Sequence, residues 1–382
     1  MAQDSFTEVT RESWFGRIGN AFKGILVGFI LLVVAFPLLF WNEGRSVKQY
    51  KSLKEGAGAV VSATSESVDT ALDGKLVHMT GKAVTADILT DPVFGVSANA
   101  LKLSRSVEMY QWEESSQRKT RKKMGGGTET VTTYTYSKTW SGRVLQSSDF
   151  KEPAAHQNPD AMPFDSLEQV AENVDFGAFT LSPSLVGRIN NFEPLILSTN
   201  TPLPERLQGK ALWSETGLYL GTNRASPQVG DVRIDFRVAR PTAVSVIAKQ
   251  VGQSFQPYAT KVGRSIELLQ TGEHTAEAMF QQAQASNRML AWILRLVGFI
   301  LMFVGLSMMF KLLSVLADVL PILGTIVGAG TSLIAFLLAS ILSLITIAIA
   351  WIVFRPLLGV LLLAGAVVLI LAIKGKLKPR AH

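Results

Sequence analysis

Cysteine is absent from the 382 residues, which removes disulfide scaffolds, Cys-ligated zinc, iron–sulfur clusters and thiol nucleophiles together. Histidine is almost absent too. His78, His156, His274 and His382 are the whole supply, and none forms a His-x-x-x-His or His-Glu-x-x-His pair at metal-ligand spacing. No Gly-x-Ser-x-Gly, phosphate loop or dinucleotide fingerprint occurs, so hydrolase and nucleotide-binding readings lose their main support. No metal or cofactor is expected, and the chain reads as a non-enzyme. Charge is also scarce, at 18% of residues against roughly 25% in soluble proteins.

Apolar sequence is what the chain has in excess, with 48% hydrophobic residues and a mean hydropathy of +0.26. The excess lies at the two ends. Gly24–Trp41 is a run of 18 residues without a charge, and Met289–Ile373 is almost continuously apolar. Both exceed what a soluble core helix needs, which excludes a soluble enzyme. The formal charge of +7 is of the kind a membrane protein gathers near its membrane ends, and no nucleic-acid partner is expected.

Arg17 and Lys23 precede the first run, as in a signal peptide. The run is longer than an h-region, however, and ends in Phe40-Trp41-Asn42-Glu43 with no small-x-small cleavage site; it reads as an uncleaved anchor. The expected order is an N-tail (1–23), in which Trp14, Ile18 and Phe22 recur at amphipathic spacing, and a first span (24–41). A second span (289–310) lies between Trp292 and Lys311, which suit interfacial anchors. A short interfacial connection (311–323) holds Asp318 and Pro321. The third span (324–354) belongs to an apolar stretch, Ile322–Phe354, of 33 residues. As one helix that is ~50 Å against a hydrocarbon core of ~30 Å, so it must tilt, break or overhang, and the crossing itself is placed near Thr331–Val353. After an Arg355-Pro356 turn comes a fourth span (357–373) and a basic tail (374–382). Four spans put both termini on one side. The short tail with Lys374, Lys376, Lys378 and Arg380 assigns that side to the cytoplasm.

Residues 42–288 then form one domain outside the cytosol. Alternation in Leu76–Thr80, Val131–Tyr136, Val232–Val238 and Ala243–Ala248 predicts strands. Val107–Glu114 and Thr130–Trp140 flank the basic, glycine-containing Arg118–Gly127, which reads as a hairpin with a mobile tip. Short helices are expected at Asp165–Asn173 and Thr275–Ser286, the latter capped by Thr275. The fold class is thus four transmembrane helices, one N-terminal and three C-terminal, with a large inserted β-rich lumenal or extracytoplasmic domain.

Chemistry-bearing candidates are few. Asp231 and Asp235 fall on one face of a strand, where an acid/base pair or any solvated face looks alike. His78 alternates within a strand as a structural residue does, and His156 opens the turn-forming His156–Met162. Gly24-x-x-x-Gly28 and Gly324-x-x-x-Gly328 offer small faces for close helix packing, within one chain or between copies. Arg295 and Lys311, both near the ends of the second span, are the only ionisable candidates for a mid-membrane position in the spans, which argues against a conduction pathway.

The order of these segments resembles the transmembrane protein 43 (LUMA) family along nearly the whole chain. The matching residues are Asn42-Glu-Gly-Arg45, Leu76-Val-His78, Asp91-Pro92 with Gly95-Val96, and Val107-Glu-Met-Tyr-Gln-Trp112. They continue with His156, Asn158-Pro159, Ala161-Met162, Val229-Gly-Asp-Val-Arg233, Val246-Ile-Ala248, Trp351 and Arg355-Pro356. The basic Arg118–Gly127 departs from the family pattern, and the chain reads as a bacterial or distant member. The resemblance implies a four-span protein of the endoplasmic reticulum and inner nuclear membrane, or of the inner membrane in a bacterium. It implies a role in organising membrane-protein complexes and the nuclear envelope, and carries no catalytic residues. The expected partners are the lipid bilayer, other membrane proteins and further copies of the chain. A membrane sensor or accessory subunit is the alternative.

One site follows from topology. On the four-span order Glu43, Arg295 and Arg355 all reach the outer interface, where Glu43 is the acid at hand. Pairing of Glu43 with Arg295 or Arg355 would clamp the first span to the C-terminal ones.

Overall fold

In a computed structural model of the chain, residues 4–197, 211–213 and 216–356 are described. Two compact units divide them. One is β-rich (Met1–Glu8, Glu55–Arg118 and Thr132–Gln281), and the other is helical (Val9–Lys54, Lys119–Val131 and Gln282–His382).

Three long helices, α1 (Trp14–Ala59), α3 (Ala276–Ala317) and α4 (Pro321–Phe354), are each long and apolar enough to cross a membrane; a single turn, α2 (Pro183–Val186), precedes the last two. Small and large residues alternate at their contact. Ala35 and Leu39 of α1 meet Met302 and Leu306 of α3 and Ala335 and Ala339 of α4 in one buried cluster. Leu26, Ile30, Leu296, Ile300, Leu337 and Ile341 stay exposed, as lipid-facing residues do. Pro321 starts α4 at a first-turn position, where a missing N–H costs nothing.

The helices run past the expected spans. α1 does not stop at Trp41 but continues to Ala59, so residues 42–59, assigned by sequence to the β-rich domain, are helical. The expected Thr275–Ser286 helix and the second span are one piece, opened by Thr275, whose Oγ1 accepts from Ala278 N at 3.2 Å. Packing between helices extends them where local polarity would have ended them. The fourth span, 357–373, and the tail, 374–382, lie outside the described residues.

The β-rich unit holds two larger sheets. In the first, the order is Ser5–Glu12, Thr128–Ser141, Lys102–Lys122, Val232–Ala239, Gly217–Leu220 and Ala211–Trp213. The second is centred on Thr242–Val251, paired with Leu76–Val84 from Thr242↔Ala83 to Lys249↔Leu76. Alternation explains the first: Val232, Ile234, Phe236 and Val238 face inward, as period two requires. The second sheet buries Val77, Met79, Val244 and Val246 with Phe176 and Phe255.

Two sequence expectations fail here. Asp165–Asn173 is not a helix; Leu167–Val170 is a strand on Lys102–Lys122, from Lys102↔Val170 to Arg105↔Leu167. The first residues of Lys102–Lys122, already paired with Val232–Ala239 on one side, offer N–H and C=O groups on the other, and pairing with them outweighs a weak helical preference. The hairpin is longer than anticipated, Lys102–Lys122 with Thr128–Ser141. Its tip turns through Gly125 and Gly126, at φ 83° and 81°, a region glycine enters without strain. Nor is the tip free: Gly125 N donates to Val319 O at 3.2 Å, and the Arg17 guanidinium donates to Gly126 O. Residues 119–131 thus lie at the Trp14 end of the helices, whereas the expectation of a one-sided 42–288 domain puts them with the far end of α1.

Candidate functional site

Leu39, Asn42, Glu43 and Ser46 recur at i, i+3, i+4 and i+7 along α1 and are all buried, so one helical stripe changes from apolar to polar without leaving the helix interface. Glu43 has no exposed surface. Arg295 of α3 answers it with a fork: Nε donates to Oε1 at 2.6 Å and Nη2 to Oε2 at 2.8 Å, the bidentate geometry in which guanidinium and carboxylate bind most strongly. Trp351 of α4 adds a third donor, Nε1 to Oε2 at 2.8 Å. One carboxylate therefore ties three helices.

A polar layer lies one turn on. Asn42 Nδ2 donates to Ala291 O at 3.0 Å, Arg45 Nη1 to Asn287 Oδ1 at 3.1 Å, and Asn287 Nδ2 to Ser46 O at 3.0 Å. The Arg295 guanidinium also lies 4.8 Å from the Trp292 ring centroid, an added cation–π attraction. Of the three residues anticipated as a clamp, the structure joins Glu43 and Arg295. Arg355 does not reach Glu43; its guanidinium lies 5.6 Å from the Trp351 ring centroid. Sequence reasoning missed Trp351 as a donor, because a Trp near a span end reads as an interfacial anchor. The available signal was its indole N–H, which needs a partner when buried.

At the Trp14 end a second buried carboxylate, Asp318, lies between α3 and α4. It accepts from the Arg17 guanidinium of α1 and from Lys122 Nζ of the hairpin tip at 2.6 Å. Trp14 Nε1 donates to Val315 O at 2.8 Å beside it. A Cβ at Gly324 would land on the Asp318 carboxylate, and one at Gly328 would come within 2.9 Å of Ser314 Oγ. Across the bundle, a Cβ at Gly28 would meet Gly305 O at 2.5 Å, while one at Gly24 would make ordinary contact with Met308 O at 3.8 Å. Gly28, Gly324 and Gly328 thus permit close approach within the chain, whereas the space at Gly24 would admit a Cβ.

In the β-rich unit the remaining candidates each have neighbouring polar partners. His156 is buried and stacked on Tyr136 at 3.6 Å. Its Nδ1 lies 3.0 Å from Glu152 O and its Nε2 2.9 Å from Asp4 Oδ2. His78 Nε2 is 2.9 Å from His274 O. Asp231 and Asp235 have separate partners: Asp231 accepts the Tyr219 hydroxyl at 2.5 Å and Gln228 N at 2.8 Å, and Asp235 the Thr216 hydroxyl at 3.3 Å. Burial, with the Asp231 carboxylate behind it, pushes the Tyr219 phenol up to about 12. Among the described residues no group of three His, Asp or Glu side chains is placed to hold a metal.

A family model described as Transmembrane protein 43 matches residues 109–356. Transmembrane protein 43 of Rattus norvegicus is 35% identical over 358 residues, 91% of this chain and 88% of the rat one. The protein of that name in Homo sapiens is 35% identical over 367 residues, 93% and 90% of the two chains. The Transmembrane protein 43 homolog of Drosophila melanogaster is 33% identical over 355 residues, 89% and 92%. No solved structure matches.

Proposed function

This chain belongs to the transmembrane protein 43 family, and on that premise we propose that it is a non-enzymatic integral membrane scaffold, one that self-associates and gathers other membrane proteins. The observation that carries the reading is the Glu43–Arg295–Trp351 cluster. Transport sites keep ionisable groups facing a pathway; here the buried charge is consumed in holding α1, α3 and α4 together. That is the arrangement of a fixed membrane frame. The Trp14 end of α1 faces the cytoplasm and its Lys54 end the opposite side. The membrane is the endoplasmic reticulum or inner nuclear membrane in a eukaryotic cell and the inner membrane in a bacterium. The alternative, a sensor or accessory subunit, is favoured by one feature, a cation-lined cavity at the clamp end of the helices.

The test is cross-linking in intact membranes, followed by native extraction of the full chain and measurement of particle mass. Discrete particles holding several copies, or a reproducible set of integral membrane proteins, are expected, with sizes unchanged by Asp231→Asn and Asp235→Asn. Single chains alone at native abundance would overturn the scaffold reading.

A further inference from the structure

The cavity just mentioned has a chemistry that the scaffold reading does not use. It encloses about 580 Å³, within the ~300–1,000 Å³ of small-ligand pockets. Its apolar walls are Val47 and Tyr50 of α1 and Phe354 of α4. Phe354 lies close against α1 because Gly44 leaves room, since a Cβ there would come 2.6 Å from the ring. Three cations stand around these walls: Lys51 of α1, Arg288 of α3 and Arg355 at the end of α4. Among the described residues no carboxylate lines the cavity and none of the three is in an ion pair. Glu43, on the same helix, is already bound by Arg295 and Trp351.

Three gathered cations repel one another, and a compensating anion relieves that repulsion. Depth points to its source. Arg288 directly precedes the apolar run of α3 and Arg355 directly follows that of α4, the level at which hydrocarbon gives way to headgroups. A free anion would need the cations alone; the aromatic wall beneath them suits an acyl chain. We propose that this cavity binds an anionic phospholipid, its phosphate held by Lys51, Arg288 and Arg355 and the start of an acyl chain against Tyr50 and Phe354. The site goes beyond the scaffold reading and stands whether or not chains self-associate.

The full chain, delipidated in a neutral detergent, is titrated with dioleoyl phosphatidic acid, dioleoyl phosphatidylcholine or inorganic phosphate. Retained lipid is counted by native mass spectrometry and Tm is followed alongside. Phosphatidic acid is expected to be retained at one molecule per chain and to raise Tm, while the other two do neither. Each of Lys51→Gln, Arg288→Gln and Arg355→Gln should weaken retention about fivefold, the factor contributed by one cation near an anionic lipid surface. The exposed neighbours Lys48 and Lys54 serve as controls, and their Gln variants should bind as the parent does. Equal retention of phosphatidylcholine overturns the proposal, and so does a Tm rise with inorganic phosphate alone, which marks a soluble-anion site. Equal loss in the control pair also overturns it, as surface charge without a site. If Arg288→Gln or Arg355→Gln does not fold, Lys51→Gln, at an exposed position, decides alone, and unchanged affinity there refutes the site.

Discussion

Glu43 gives up all of its hydration on burial, a cost of several kcal/mol that only partners with good geometry offset. Arg295 supplies two hydrogen bonds and the opposite charge, and Trp351 a third donor. The asymmetry of such a site is testable. Arg295→Met strands a buried carboxylate and is expected to cost about 3–5 kcal/mol, whereas Glu43→Leu combined with Arg295→Met should recover most of it, because neither charge is then left alone. Trp351→Phe removes one donor to a charged acceptor and should cost about 1.5–3 kcal/mol. Unfolding of the purified chain in detergent, followed by helical circular dichroism, measures all three. An Arg295→Met variant as stable as the parent would remove the clamp from the account.

Between elements, backbone approach decides how α1 meets α3. Gly28 and Gly305 face each other so closely that a Cβ on either would stand 2.5 or 2.6 Å from the other's carbonyl oxygen. Gly28→Ala therefore forces the helices apart and is expected to cost about 1–3 kcal/mol, as overpacking does in a filled core. Gly19→Ala, on the same helix with nothing within 4 Å of its Cβ, should be neutral or mildly stabilising. Resistance to unfolding by SDS reads both. Equal behaviour of the two variants would mean that α1 and α3 do not touch at Gly28. A sequence motif of two glycines cannot say which helix it packs on, and here the partner is α3 of the same chain.

For the molecule in its membrane, the hairpin tip is the sharpest question. A bilayer around Gly24–Trp41 puts Arg17 and Asp318 on one face and Lys54 on the other, and the tip is bonded to Arg17 and Asp318. The absence of cysteine makes the side measurable with single introduced thiols in sealed vesicles. Gly19→Cys and Met124→Cys are expected to react with an impermeant maleimide from the same face, and Lys54→Cys from the opposite one. If Met124→Cys reacts together with Lys54→Cys, the tip leaves the helix ends on insertion, and the one-sided 42–288 domain is restored.

The amino-acid sequence alone determined the class of this protein. An uncharged run of 18 residues and a long C-terminal apolar stretch have one stable solution, helices in lipid, because every backbone polar group is then satisfied internally. It also pointed to Glu43 and Arg295, since charges beside apolar runs are few and the pairing choices correspondingly small. Tertiary structure decided the rest. Trp351 as a third donor, Lys122 and Arg17 on Asp318, Leu167–Val170 as a strand and the continuation of α1 to Ala59 all depend on partners far away in the chain. Periodicity reports which face of an element is apolar, and that is a local property. Which neighbour covers the face, in what register, and which buried donor meets which carboxylate are settled only when distant segments pack and unpaired polar groups are no longer affordable.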